Sequence, residues 1–395
     1  MIEKIIQNGF CSGCHACYSI CPCGAISMEN DAEGFLYPRV DGARCIECGQ
    51  CQKVCAAAQR PLVSQHEPTV YAAINKDDTV RQNSSSGGVF ALLAEHIIGL
   101  SGVVYGAAFN EDFAVEHWRT EQNITPLQTS KYVQSRIGDV FRAVDRDLRD
   151  GRYVLFTGTP CQVDGLDAYL TARSACRDKL YLVDLICHGV PSPLVWQRHL
   201  DGIAQGKSIK SINFRDKSIS WGTFSLKIMF NDGSVYRRVA SDDAYMKGFC
   251  ANLTLRPSCY SCAHKAITRV SDLTIADCWG AQKTIPALHD NKGTSAVLIH
   301  TAKGHAIVEG LANQMQMVEL SIEQIVPYNT AINTSVRMHP RRALFYERMQ
   351  KDTNGNIDDM LTNVLKPTIT DHLLMGVVHI KRIGKKLLKK LHILV

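Results

Sequence analysis

The sequence predicts a small α+β cysteine-rich module, a larger mixed α/β domain and a helical C-terminus. Three observations predict it. Two cysteine runs of identical spacing lie within the first 60 residues, strand and helix signals alternate from Thr69 onward, and beyond Ile299 the chain reads as helices. The module is placed at residues 1–60, the large domain at 69–330 and the helical region at 331–395.

The runs are Cys11-Ser-Gly-Cys14-His-Ala-Cys17-Tyr-Ser-Ile-Cys21-Pro22 and Cys45-Ile-Glu-Cys48-Gly-Gln-Cys51-Gln-Lys-Val-Cys55. C-x2-C-x2-C-x3-C, twice over, is the bacterial two-cluster ferredoxin spacing, in which the fourth cysteine of each run serves the other cube. Cys11, Cys14, Cys17 and Cys55 are therefore assigned to one 4Fe–4S cluster, and Cys45, Cys48, Cys51 and Cys21 to the second. Gly13 and Gly49 let the backbone turn close to a cube, where N–H groups reach its sulfurs. Zinc prefers two separated C-x2-C knuckles, and disulfides need an oxidising compartment. No secretory h-region precedes Cys11 and no apolar run approaches about 18 residues, so the sequence reads as cytoplasmic.

The net charge of +6 is concentrated in the tail, where Lys381, Arg382, Lys385, Lys386, Lys389 and Lys390 stand together. The remaining basic residues balance the 38 acidic ones, which excludes a nucleic-acid-binding body. Val377 to Val395 reads as an amphipathic helix, with Ile380, Ile383, Leu387, Leu391 and Leu394 on one face. Its lysines suit peripheral contact with an anionic membrane or an acidic protein; the alternative is a solvated, frayed tail.

Between these ends, Gly34 to Pro38 reads as a strand between the cysteine runs, and Ala56 to Pro68 as a linker. Val70 to Ile74 is a strand and Gly88 to Ile98 an apolar-faced helix; Gly102 to Phe109 and Phe113 to Thr120 pair as strands. Gly138 to Arg149 is an amphipathic helix, Arg152 to Thr157 a buried strand, 161–172 a helix and Leu180 to Ile186 a strand again. That β-α-β order argues for a parallel component. Ile209 to Arg215, Phe224 to Phe230 and Val235 to Val239 form a meander turning at Asn231-Asp-Gly233, and Ala296 to Ile299 is a last strand.

Within the large domain, Asn83-Ser-Ser-Ser-Gly-Gly88 opens a helix, which suits a phosphate or is an ordinary Ser cap. Thr159-Pro160-Cys161 puts a cysteine in the first turn of the next helix, where a thiolate is stabilised, and Cys187 follows the neighbouring strand. Cys259 and Cys262 add a C-x2-C knuckle. Together Cys161, Cys187, Cys259 and Cys262 suit a third cluster, zinc, a redox dithiol or plain buried cysteine. Cys23, Cys176 and Cys250 read as ordinary cysteines, and His188 as a hydrogen-bonding neighbour. Asp277, at the end of a strand, reads as an orienting group or a turn cap, and Phe214-Arg-Asp-Lys217 as a solvated loop.

In combination the chain resembles the family of coenzyme F420 hydrogenase/dehydrogenase β-subunits, in the version with an N-terminal two-cluster ferredoxin. The matching segments include Ser85-Ser-Gly-Gly88, Ser130-Lys-Tyr-Val-Gln-Ser135, Phe156-Thr-Gly-Thr-Pro-Cys161-Gln162 and Asp184-Leu-Ile-Cys187-His-Gly-Val-Pro191. Leu255-Arg-Pro-Ser-Cys259-Tyr-Ser-Cys262 and Arg269-Val-Ser-Asp272 through Trp279-Gly280 continue the match, with Cys278 where an aromatic residue is expected. The resemblance implies an FAD-containing iron–sulfur oxidoreductase with a third cluster on Cys161, Cys187, Cys259 and Cys262. It makes Ser86, Gly87, Gly88, Lys131, Tyr132 and Ser135 candidate flavin contacts and leaves the catalytic residues unassigned. Flavin suits the task because clusters carry one electron and hydrides two. The expected function is electron passage between 4Fe–4S clusters and FAD, with hydride exchange to a deazaflavin or reduction of an organic substrate. The alternative is an electron-transfer adaptor serving a partner enzyme; a deazaflavin, a ferredoxin or that enzyme is the expected redox partner.

Overall fold

The computed structural model describes residues 2, 9–58 and 66–367. The predicted helix at 377–395 lies outside the described residues.

In the N-terminal module, strands β1 (Ile26–Asn30) and β2 (Leu36–Val40) pair antiparallel with Ile26 opposite Val40. The sequence pattern marks only the second. Short helices, Ala16–Ile20 and Gln50–Lys53, contain Cys17 of the first run and Cys51 of the second. Among the described residues, the module's own buried cluster is Ile2, Cys17 and Ile26, and so small a unit gains stability from contacts beyond itself. It docks accordingly. Ala16 and Val54 enter the core around Phe141 and Val163, while Phe35 enters a second core around Trp196 and Phe214. Burying Phe35 completely contributes about 1.5–3 kcal/mol to that docking. Arg142 adds hydrogen bonds to Ser19 O and Tyr18 O, both at 2.9 Å.

The large domain continues with β3 (Thr69–Asn75), β4 (Val103–Phe109), β5 (Val115–Thr120), β6 (Val154–Thr157) and β7 (Leu180–Leu185). After these come β8 (Ile209–Asp216), β9 (Ser225–Phe230), β10 (Val235–Val239), β11 (Leu273–Asp277), β12 (Ser295–Ile299) and β13 (Met315–Leu320). Eight strands form one mixed sheet in the order β13-β3-β12-β11-β7-β6-β4-β5. Its centre, β11-β7-β6-β4, is parallel and its flanks are antiparallel. The parallel strands are largely apolar because both faces are covered. Val104, Leu155 and Val183 meet helices Val89–Gly99 and Ala302–Leu311 on one face. Val103, Val154 and Leu182 meet Val140–Arg149 and Pro160–Ala172 on the other.

The predicted meander is a separate antiparallel sheet, β10-β9-β8. It shares an aromatic core of Trp196, Phe214, Tyr245 and Phe345 with the helices Pro193–Ala204, Ala244–Cys250, Arg342–Lys351 and Ile357–Leu365. Two expectations are overturned here. The chain beyond Ile299 is not all helix, because β13 pairs along β3 from Met315 opposite Asn75 to Leu320 opposite Val70. Phe214-Arg-Asp-Lys217 is no solvated loop either: Phe214, Arg215 and Lys217 are all buried, at the end of β8 that faces the large sheet.

Candidate functional site

The two cysteine runs share one backbone design. The residue before the second cysteine is left-handed in both, Gly13 at φ 69° and Glu47 at φ 54°, and so is the residue after it, His15 at φ 65° and Gly49 at φ 70°. Left-handed backbone at His15 and Glu47 is unfavourable for residues with a Cβ. It persists because each loop must curl its thiols to one side before a helix begins at Ala16 or Gln50.

Cys11, Cys14, Cys17 and Cys55 line one cavity with about 390 Å³ of atom-free space. Burial, then repulsion from Cys55 and Cys11, pushes the Cys14 thiol up to about 12, and burial holds Cys17 well above its ordinary value. Such thiols ionise only around a cationic core. Among the described residues no three His, Cys, Asp or Glu side chains close tightly enough on one point to hold a single metal ion. Thiols spread around a cavity suit a multi-atom cluster better than zinc, whose ligands stand about 2.3 Å from one centre. The other set lies nearer the surface. Cys48 is exposed, and Cys51 is raised by burial with Cys45 and Cys48 as repelling neighbours. Cys21 and Cys51 both pack against the Ile2–Cys17–Ile26 core. Cys23, read as ordinary, has its sulfur 3.8 Å from that of Cys21.

Cys161, Cys187, Cys259 and Cys262 come from three separate segments and line a second cavity, with about 530 Å³ of atom-free space. Thr159 and Gln162 form a capping box that fixes the helix start, and Thr159 Oγ1 lies 3.1 Å from Cys161 Sγ. Burial, followed by repulsion from Cys262, holds the Cys161 thiol well above its ordinary value, because the enclosed site removes the water that would solvate a thiolate. Burial likewise pushes Cys187 up to about 12 and Cys259 up to about 11. Lys265 Nζ donates to Cys187 O at 2.6 Å on the rim, and His188 bonds Asn252 Oδ1 at 2.6 Å. Cys278, by contrast, lies in an apolar core with Val70 and Ala281. Cys176 and Cys250 are exposed.

The flavin candidates fall in two neighbouring places. Ser86 Oγ donates to Thr294 O at 2.8 Å, and Gly87 N–H donates to Ser295 Oγ at 2.9 Å. A Cβ on Gly87 would sit 2.3 Å from Ala73 O, so Gly87 is there for close packing, and its N–H is already used within the fold. Gly88 caps the helix at φ 85°. Ser130 N donates to Ser85 Oγ at 2.7 Å, which brings the 130–135 segment to this turn. Lys131 Nζ donates to Pro126 O and Gln128 O, each at 2.7 Å, and burial lowers it to about 7. The half-buried Tyr132 stacks on Phe249 at 5.2 Å. Ser135 lies apart, against His117 Nδ1 at 2.8 Å and Gln162 Nε2 at 3.0 Å, beside the Cys161 helix.

Sequence reasoning missed Arg215. Its guanidinium donates to Ser85 O at 3.2 Å and to Asp277 Oδ1 at 3.3 Å, and Trp221 Nε1 also reaches Asp277, at 3.1 Å. Arg215 Nε and Asn75 Nδ2, both beside the Ser85–Gly88 turn, are buried without a hydrogen-bond partner. Two orphaned donors at this turn fit a ligand rich in acceptor oxygens. Missed too was Gln134, whose Nε2 donates to Ser12 O of the N-terminal module at 3.0 Å.

Known proteins resemble this chain in two stretches. The family described as coenzyme F420 hydrogenase/dehydrogenase, C terminus of the beta subunit, matches residues 151–324, and the 4Fe-4S dicluster domain matches residues 10–58. The flavin candidates lie outside both. The F subunit of the F420H2 dehydrogenase of Methanosarcina mazei is 21% identical over 206 residues, which cover 47% of this chain and 55% of that protein. The chain thus spans about half the length of the curated relative it matches. A structure of the F420-reducing NiFe hydrogenase complex from Methanosarcina barkeri, a xenon derivative, contains a chain with a TM-score of 0.47 and 15% identity. That match covers 75% of this chain and 98% of the other.

Proposed function

This chain belongs to the family of coenzyme F420 hydrogenase/dehydrogenase β-subunits, with an N-terminal 4Fe–4S dicluster domain, and from that premise we propose that it is the iron–sulfur flavoprotein component of an oxidoreductase complex. Electrons pass between 4Fe–4S clusters and FAD, and the two-electron partner is a deazaflavin of the coenzyme F420 type. One observation carries the reading: two cysteine-lined cavities stand side by side, with Ser12 in the wall of both.

Cys11, Cys14, Cys17 and Cys55 would hold one cluster, Cys45, Cys48, Cys51 and Cys21 another, and Cys161, Cys187, Cys259 and Cys262 a third. The Ser85–Gly88 turn, Lys131, Tyr132 and Arg215 would hold FAD. When bound, FAD supplies the conversion between hydride and single electrons. The chain's residues bind and orient. Arg215 and Asn75 offer unused donors, and Lys131, whose ammonium burial lowers to about 7, belongs to the 130–135 segment that Ser130 N ties to the Ser85 turn. The exposed Cys48 and Ile46 put the second cysteine set at the surface, where a partner enzyme or a ferredoxin can reach it. Among the described residues no helix is long and apolar enough to cross a membrane.

The test is anaerobic purification with iron, sulfide and flavin analysis, followed by reduction with a reduced deazaflavin. About twelve iron atoms and one FAD per chain are expected, with the cluster absorbance bleaching on addition of the deazaflavin. Protein that binds no added FAD, or whose clusters stay oxidised with every low-potential donor, overturns the reading.

A further inference from the structure

Arg256 stands between the two cysteine cavities. Its side chain is wholly buried and helps line the cavity of Cys161, Cys187, Cys259 and Cys262. Yet its hydrogen bonds run to the other side: Nε donates to Cys11 O at 2.7 Å, one terminal nitrogen to Leu36 O at 2.9 Å and, weakly, to Cys11 Sγ at 3.8 Å. The other terminal nitrogen donates to Gln134 Oε1 at 3.0 Å. None of these acceptors is a carboxylate. The guanidinium also lies over the Tyr37 ring, 4.2 Å from its centroid, and a Cβ on Gly13 would fall 2.8 Å from it. A buried cation is costly without nearby negative charge. Among the described residues, the one formal negative charge its hydrogen bonds can meet is a cysteine thiolate.

We propose that Arg256 is a positioning residue that couples the two cavities electrostatically: one buried positive charge, anchored to the Cys11 loop and facing the Cys161 set, raises the reduction potentials of the groups both sets hold. Adding an electron adds negative charge, which a nearby cation favours strongly where water is excluded. Hydrogen bonds to sulfur and net charge are the established levers on cluster potential. The Cys45, Cys48, Cys51 and Cys21 set has no such contact with Arg256 and is not raised. This rests on the proposed function, since it takes the cysteine sets as cluster ligands.

The experiment is redox titration followed by electron paramagnetic resonance on anaerobically purified full chain, comparing wild type, Arg256→Lys, Arg256→Gln and Gln134→Glu. Cys14→Ser, Cys48→Ser and Cys161→Ser variants assign each signal to its set. Arg256→Gln is expected to shift the oxidised-to-reduced ratio of the Cys11 and Cys161 sets about tenfold toward oxidised at a given potential, a fall of about 59 mV for a one-electron couple. The Cys45 set stays put, and Arg256→Lys recovers part of the shift. Gln134→Glu keeps Arg256 but pairs it with a carboxylate, so it moves the same two potentials downward; it decides the matter if Arg256→Gln does not fold. Unmoved potentials, or an equal shift in all three sets, overturn the inference. Wild-type protein without cluster signals overturns the functional reading itself, and the coupling with it.

Discussion

Gly165 faces Cys14 so closely that a methyl group on the glycine would fall 2.9 Å from the thiol sulfur. Gly165 lies inside the helix Pro160–Ala172, which begins at the Cys161 cavity, so this contact joins the two cysteine sites through one helix.

That contact makes Gly165→Ala informative. In a helix interior, alanine is normally favoured over glycine by about 1 kcal/mol. Here the clash with a sulfur held in place by its neighbours outweighs propensity. The variant is expected to lose roughly four iron atoms per chain and to melt lower than wild type. Full iron content with a raised melting temperature would show that Cys14 has room to move.

Lys131 supplies a pH dependence. Burial lowers its ammonium to about 7, so it is charged below that pH and neutral above. If it holds an anionic part of FAD, flavin retention falls as pH rises through about 7. Lys131→Ala should retain flavin poorly and without that pH step, while keeping the iron of the N-terminal module. Fluorescence of released flavin after gel filtration on either side of that pH, at about 6 and about 8, measures it. Identical pH profiles for both proteins would remove Lys131 from the site.

His199 predicts where the fold weakens in alkali. It is fully buried, donating to Asp358 from Nδ1 at 2.6 Å, with Nε2 3.4 Å from Asp243. Burial opposes its charge, but the two carboxylates, Asp358 hydrogen-bonded and Asp243 close by, outweigh it and raise the imidazole to about 9. A raised pKa stabilises fully below the unfolded value near 6.5 and is lost as pH rises through about 9. The loss, on the order of a few kcal/mol, falls on the docking of helix Ile357–Leu365 against Pro193–Ala204. His199→Phe should therefore melt lower than wild type near pH 6.5, with the gap narrowing by about pH 10; a gap independent of pH would contradict the ion-pair account.

Serine substitutions separate ligand cysteines from ordinary ones. Cys161→Ser should remove about a third of the iron, whereas Cys278→Ala should remove none and only loosen its core, at about 1 kcal/mol. Both thiols are buried and raised, so burial alone does not distinguish them; iron counting does. Equal iron loss in the two variants would sink the third-cluster assignment.

The sequence by itself determined what depends on short-range spacing. The eight N-terminal cysteines announce their pattern because three thiols within one loop must reach one object, and that constraint is written over a few residues. The central strands were legible for a similar reason: covered on both faces, they are apolar at nearly every position. Contacts between distant segments were left to the tertiary structure. β13 carries Gln316 and Glu319 and borders only β3, some 240 residues earlier, so its local signal did not distinguish strand from helix. Arg215 and Lys217 looked solvated because a charge run usually is. They are buried because carbonyls of Ser85, Arg81 and Lys292, brought in from elsewhere, accept their hydrogen bonds. Four cysteines scattered from Cys161 to Cys262 became neighbours only when β6, β7 and the turn at Pro257–Ser261 ended at the same place. Arg256 had no sequence signal beyond its place in Leu255-Arg-Pro; its reach to Cys11 exists only because the module docks against the large domain there.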